Sequence, residues 1–122
     1  MISLTILKNL IKNQQKTIAI YGLGNVGGSI TACWLKTGAK VIGVDISKKL
    51  LLDIKNGKSH SKEPFVSDIL SKYIKNKNLI VTNNGILASK NSDIKIIVVP
   101  VALKKSKSDL TYVISATKSI AK

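Results

Sequence analysis

Along this chain, apolar runs of four to seven residues alternate with stretches in which apolar positions recur every third or fourth residue. Leu4, Leu7, Leu10 and Ile11 stand at helical spacing and predict an amphipathic helix within residues 1–16. "TIAIY", from Thr17 to Tyr21, follows as a strand, and a helix from about Asn25 to Thr37 is closed by Gly38, where a left-handed cap belongs. "KVIGVD" is the second strand, and Ser47 offers an N-cap to the helix "KKLLLDIK", which ends at Asn56 and Gly57. Pro64 stands at the permitted first turn of another helix, with Phe65, Val66, Ile69, Leu70, Tyr73 and Ile74 as its apolar stripe. "LIVT" is a third strand, "ILASK" a short helical turn and "IKIIVVP" a fourth strand. A loop rich in lysine and serine then leads to a last helix from about Asp109, with Leu110, Val113, Ile114, Thr117 and Ile120 on one face.

Strands that alternate with helices build βαβ units, and runs apolar on both faces, such as "IKIIVV", belong inside a parallel sheet covered on each side. Right-handed crossovers give the strand order 3-2-1-4. The expectation is a three-layer α/β domain over residues 17–122, preceded by the helix of residues 1–16.

Composition narrows what such a domain does. A chain of 122 residues, 44% of them hydrophobic, supports one modest core. The formal charge is +14, from 20 basic residues, all lysine, against six acidic ones. Nucleic-acid readers favour arginine forks and stacking aromatics, but arginine is absent and aromatics make up 4%, so no nucleic-acid role is expected. The positive field still helps attract a phosphate-bearing ligand. The single cysteine, Cys33, cannot form an intrachain disulfide, and Cys33 with His60 matches no metal-ligand spacing. A reducing, cytoplasmic setting fits, with no metal and no membrane partner, since no apolar run approaches spanning length. Cys33 shares a helix face with Val26 and Ile30 and reads as a buried small hydrophobe. His60 lies in a polar loop and is given no catalytic role.

The chemistry concentrates in "IAIYGLGNVGG". Gly22, Gly24 and Gly27 form G-x-G-x-x-G between the first strand and the first long helix. The first glycine permits a tight turn, the second lets a pyrophosphate approach the backbone, and the third lets helix and strand pack closely. The helix N-terminus, with its unpaired N–H groups and partial positive charge, then faces the phosphates. Asp45 ends the second strand 21 residues after Gly24, where a carboxylate accepts hydrogen bonds from an adenosine ribose and repels a 2′-phosphate. Together they predict a Rossmann-type, doubly wound domain that binds NAD in preference to NADP, unless Asp45 serves only to cap the turn before Ser47.

In order and spacing, "YGLGNVGGSITACWLKTGAKVIGVDISKK", "NGKSHSKEPF", "LIVTNN" and "SDIKIIVVP" resemble the NAD-binding N-terminal domain of the nucleotide-sugar 6-dehydrogenases. That family oxidises the C6 alcohol of a nucleotide-linked hexose, such as UDP-glucose, GDP-mannose or UDP-N-acetylmannosamine, to a carboxylate in two hydride transfers. The resemblance makes Asn25 and Val26 backbone contacts to the pyrophosphate and Asp45 the ribose ligand. It places Val99, Pro100 and Val101 at the nicotinamide. It also implies a nucleotide-sugar substrate and admits a homo-oligomer. Where the family usually reads V-P-T-P, this chain has Val99-Pro100-Val101-Ala102, and Leu50 stands where a basic residue is common, with Lys48 and Lys49 just before it.

The family's catalytic cysteine, lysine and asparagine lie beyond residue 122, and the last helix ends without the parallel strand it should deliver. The second half of the fold is therefore expected to be incomplete, the fourth strand's edge open, and no catalytic residue is assigned within the chain. Two alternatives stay open: a binding module that uses the nucleotide without redox chemistry, and another small Rossmann dehydrogenase.

Overall fold

The computed structural model describes residues 3–100 and 109–122 in full, and the backbone of 102–104 and 107–108. Four parallel strands form the central sheet in the order β3-β2-β1-β4, as the alternation predicts: β1 Thr17–Tyr21, β2 Lys40–Val44, β3 Leu79–Thr82 and β4 Ile94–Ile97. The register pairs Tyr21 with both Val44 and Ile97, and Val44 with Thr82, so all four strands end at one level. Every loop that leaves the sheet at its C-terminal edge opens onto the same side.

Period two divides the apolar strands between two cores. Ile18, Ile20 and Val41 point to one face, where α1 (Leu4–Lys12), α2 (Asn25–Lys36), α3 (Lys48–Lys55) and α4 (Val66–Lys75) contribute Ile11, Leu35, Ile54 and Leu70. Ala19, Tyr21, Ile42 and Val44 point to the other, covered by α5 (Gly85–Lys90) and α6 (Thr111–Ala121) through Ala88 and Ala116. The second layer is the thinner one. Ile80 and Ile97, which share that face with their partners Ile42 and Tyr21, remain exposed. Full cover of "IKIIVV" is thus not realised, because β4 is an edge strand with partly buried residues.

Local signals set the helix ends. Ser47 accepts the Leu50 N–H at 3.1 Å, and Gly38 and Gly57 follow their helices at φ +94° and +89°. Pro64 lies in the turn before α4, which begins at Val66 after an N-cap at Phe65.

Three expectations are corrected. Cys33 is exposed. Helix α2 buries Gly27, Gly28, Thr31, Ala32 and Leu35, which turns the line through Val26 and Cys33 outward. On α6 the buried residue is Ala116, while Leu110 and Ile114 are about half exposed, because a small side chain lets the helix lie close to the sheet. The lysine- and serine-rich segment holds a two-stranded antiparallel hairpin, β5 (Ala102–Lys104) with β6 (Lys107–Asp109).

Candidate functional site

The level strand ends and the N-terminus of α2 enclose a cleft of about 590 Å³ at the C-terminal edge of the sheet. Of the residues the sequence singles out, Gly22, Gly24, Asn25, Val26, Gly27, Asp45, Val99 and Pro100 all line it. Val101 lies outside the described residues.

The three glycines answer to different constraints. Gly22 has φ +108°, and a Cβ there would stand 2.2 Å from the Val98 carbonyl oxygen. A Cβ on Gly27 would stand 1.8 Å from the Gly22 carbonyl oxygen, so the turn and the helix touch backbone to backbone. Gly24 differs, for a Cβ on it would meet nothing within 4 Å. The protein's own packing does not require glycine there, and Gly24 lines the cleft. Gly24 is also the N-cap and gives no side-chain cap, whereas Ser3, Ser47 and Asn84 cap α1, α3 and α5. The first intrahelical bond runs from Gly28 N–H to Gly24 C=O at 2.8 Å, which leaves the N–H groups of Asn25, Val26 and Gly27 without intrahelical acceptors. No acidic residue stands in the first turn. A glycine cradle below unpaired N–H groups fits a pyrophosphate.

Asp45 sits on the opposite wall, following β2. Its Oδ2 accepts the Leu23 N–H and its Oδ1 accepts the Ser47 N–H, both at 2.9 Å. The carboxylate therefore caps the turn and also braces the glycine loop. Each oxygen keeps a second lone-pair direction, which suits a pair of vicinal hydroxyls.

Several lining residues carry no sequence motif. Tyr21 forms part of the floor, its hydroxyl donating to the Gly85 carbonyl at 2.7 Å. Burial pushes its phenol above its ordinary value, opposed by the neighbouring Ser89 hydroxyl. Ile46 and Asn83 extend the wall beside Asp45, and Tyr112, Ser115 and Ser119 of α6 close the far side. Leu50 is buried in the core with one side on the cleft, so it offers no charge. Only the spacing of "HSKEPF" hinted at a further element: loop 59–63 is fastened to α2 through Ser29 to Ser61 (Oγ to Oγ, 2.7 Å) and Lys62 N–H to Asn25 Oδ1 (2.8 Å). Cys33 does not line the cleft, and His60 is held by Asp53 at 2.9 Å.

Residues 16–122 match the model of the UDP-glucose/GDP-mannose dehydrogenase family, NAD binding domain. The chain is 36% identical over 106 residues to UDP-glucose 6-dehydrogenase TuaD of Bacillus subtilis, an alignment over 86% of this chain and 23% of that protein. It is 36% identical over 104 residues to a GDP-mannose 6-dehydrogenase of Pseudomonas syringae, covering 84% of this chain and 24% of the relative. Among solved structures, a ternary complex of GDP-mannose dehydrogenase from Pseudomonas aeruginosa superposes with a TM-score of 0.79 at 34% identity, over 84% of this chain and 24% of that one. The chain thus spans about a quarter of the length of these relatives.

Proposed function

Because this chain belongs to the UDP-glucose/GDP-mannose dehydrogenase family by its NAD-binding domain, we propose that its cleft holds NAD for the oxidation of a nucleotide-linked hexose at C6. The pyrophosphate lies over Gly24 against the N–H groups of Asn25 and Val26. Asp45, through its free lone pairs, would hold the adenosine ribose, and Val99 and Pro100 would face the nicotinamide. Bound there, NAD would supply the hydride acceptor for that oxidation.

The observation that carries this reading is the open space at Gly24. Elsewhere in the motif a side chain is excluded by the protein's own backbone, whereas at Gly24, which lines the cleft, nothing of the protein stands within 4 Å of a Cβ and room is left for a ligand against the backbone. Asp45 supports NAD over its 2′-phosphorylated form, since a carboxylate that already accepts two N–H groups cannot turn away from an incoming phosphate.

Calorimetric titration of the 122-residue chain with NAD and NADP tests this. NAD binding at least tenfold tighter is expected, and equal or tighter binding of NADP overturns the assignment of Asp45. The sugar is a nucleotide-linked hexose of the type named for the relatives. Cys33, the chain's one thiol, points outward from α2 and is given no part in the oxidation.

A further inference from the structure

A pyrophosphate over α2 brings about two negative charges to a cleft whose only charged lining residue among the described ones is Asp45, itself an anion. The helix terminus offsets this with roughly half a unit of positive charge. No arginine exists in the sequence to add to it. Loop 59–63 lies outside the cleft lining and is fastened to the first turns of α2. Asn25 Oδ1 accepts the Lys62 N–H at 2.8 Å, Ser29 and Ser61 join hydroxyl to hydroxyl at 2.7 Å, and Ser61 Oγ accepts the Glu63 N–H at 3.2 Å. The backbone of Lys62 is therefore bonded to the residue that opens α2.

We propose that Lys62 is a phosphate-binding residue of the nucleotide site, its ammonium closing over the pyrophosphate from the loop side, and that the Asn25 carboxamide positions it. The proposal rests on the NAD reading above. Lys62 is exposed, and its flexible four-carbon stem starts from a backbone anchored to the first residue of α2. The loop's other ring or ammonium groups are placed differently. His60 binds the Asp53 carboxylate of α3, as does Lys49 at 3.0 Å. Glu63, next to Lys62 and also exposed, is the one acidic group on the loop.

The experiment titrates NAD, ADP and adenosine into the wild-type chain and into Lys62→Met, Lys62→Arg, Lys58→Met and Asn25→Ala, each at low and high salt, with circular dichroism as the check on folding. Lys62→Met is expected to weaken NAD and ADP about five- to tenfold, to leave adenosine unchanged, and to flatten the salt dependence. Lys62→Arg restores binding, and Lys58→Met has no effect. Asn25→Ala weakens NAD without removing a charge, and its effect is not additive with that of Lys62→Met. Unchanged NAD affinity in Lys62→Met, or an equal loss for adenosine, overturns the role of Lys62 while leaving the cleft as the NAD site. Failure of the folded wild-type chain to bind NAD overturns both.

Discussion

The Asp45 carboxylate accepts the backbone N–H of Leu23 at 2.9 Å, which ties the acidic end of β2 to the glycine turn that follows β1. One side chain thereby shapes the phosphate loop and presents the ribose-binding oxygens. A second bond, from Ser47 N–H, fixes the carboxylate's plane.

Asp45→Asn keeps the size of the side chain, removes the charge and sets a donor NH2 against one of the two backbone N–H groups that the carboxylate accepts. A hydrogen bond to a charged group exceeds a neutral one by about 1 kcal/mol, so with the lost brace NAD affinity should fall at least roughly fivefold. The gap between NAD and NADP should narrow, because the repulsion of a 2′-phosphate is lost. Titration with both cofactors measures this, and a gap that stays as wide shows that selectivity comes from elsewhere.

Gly24→Ala and Gly27→Ala should behave in opposite ways. At Gly27 the new methyl stands 1.8 Å from a backbone oxygen, so helix and turn must separate. A loss of about 3 kcal/mol and a Tm lower by roughly 10 °C are expected. At Gly24 the methyl enters open space. Stability should change by no more than about 1 kcal/mol while NAD binding drops more than about tenfold. Thermal melts paired with NAD titrations separate the two variants.

Acid should release the clamp between α3 and loop 59–63. Hydrogen bonds from His60 first, and then from Lys49, hold the Asp53 carboxyl below its ordinary value of 3.8. Because the folded value is the lower one, this contribution to stability is present above the ordinary value and lost as the pH falls through the folded one. Asp53→Asn should therefore be less stable than the wild type at pH 6, and the two melting curves should converge as the pH falls through the carboxyl's lowered folded value. A difference that persists unchanged into acid assigns the effect of Asp53 to something other than its charge.

Cys33 should react with a water-soluble disulfide reagent in the native protein, at one thiol per chain and without denaturant. Saturating NAD should leave the rate unchanged, since the residue does not line the cleft. Reaction only after unfolding contradicts the outward orientation of this face of α2.

The elements themselves were legible in the sequence. Thr17–Tyr21, Lys48–Lys55 and Leu79–Thr82 begin and end where apolar runs, the Ser47 cap and the Gly57 stop put them, because these signals act over a few residues. The glycine turn and Asp45 were legible for the same reason, as a turn and a strand end make fixed demands on residue type. Tertiary packing decided which way a face turns. The small residues of α2, Gly27, Gly28, Thr31 and Ala32, settle against the sheet and loop 59–63, which sends Cys33 into solvent, although its apolar neighbours along the helix suggested the reverse. On α6, Ala116 was buried in preference to the larger Leu110 and Ile114, since close approach to the sheet admits the small side chain. The bond from Lys62 to Asn25 joins residues 37 positions apart, and the double use of the Asp45 oxygens joins two separate loops. Such contacts follow no local period, and they exist only once the sheet has brought its strand ends to one level.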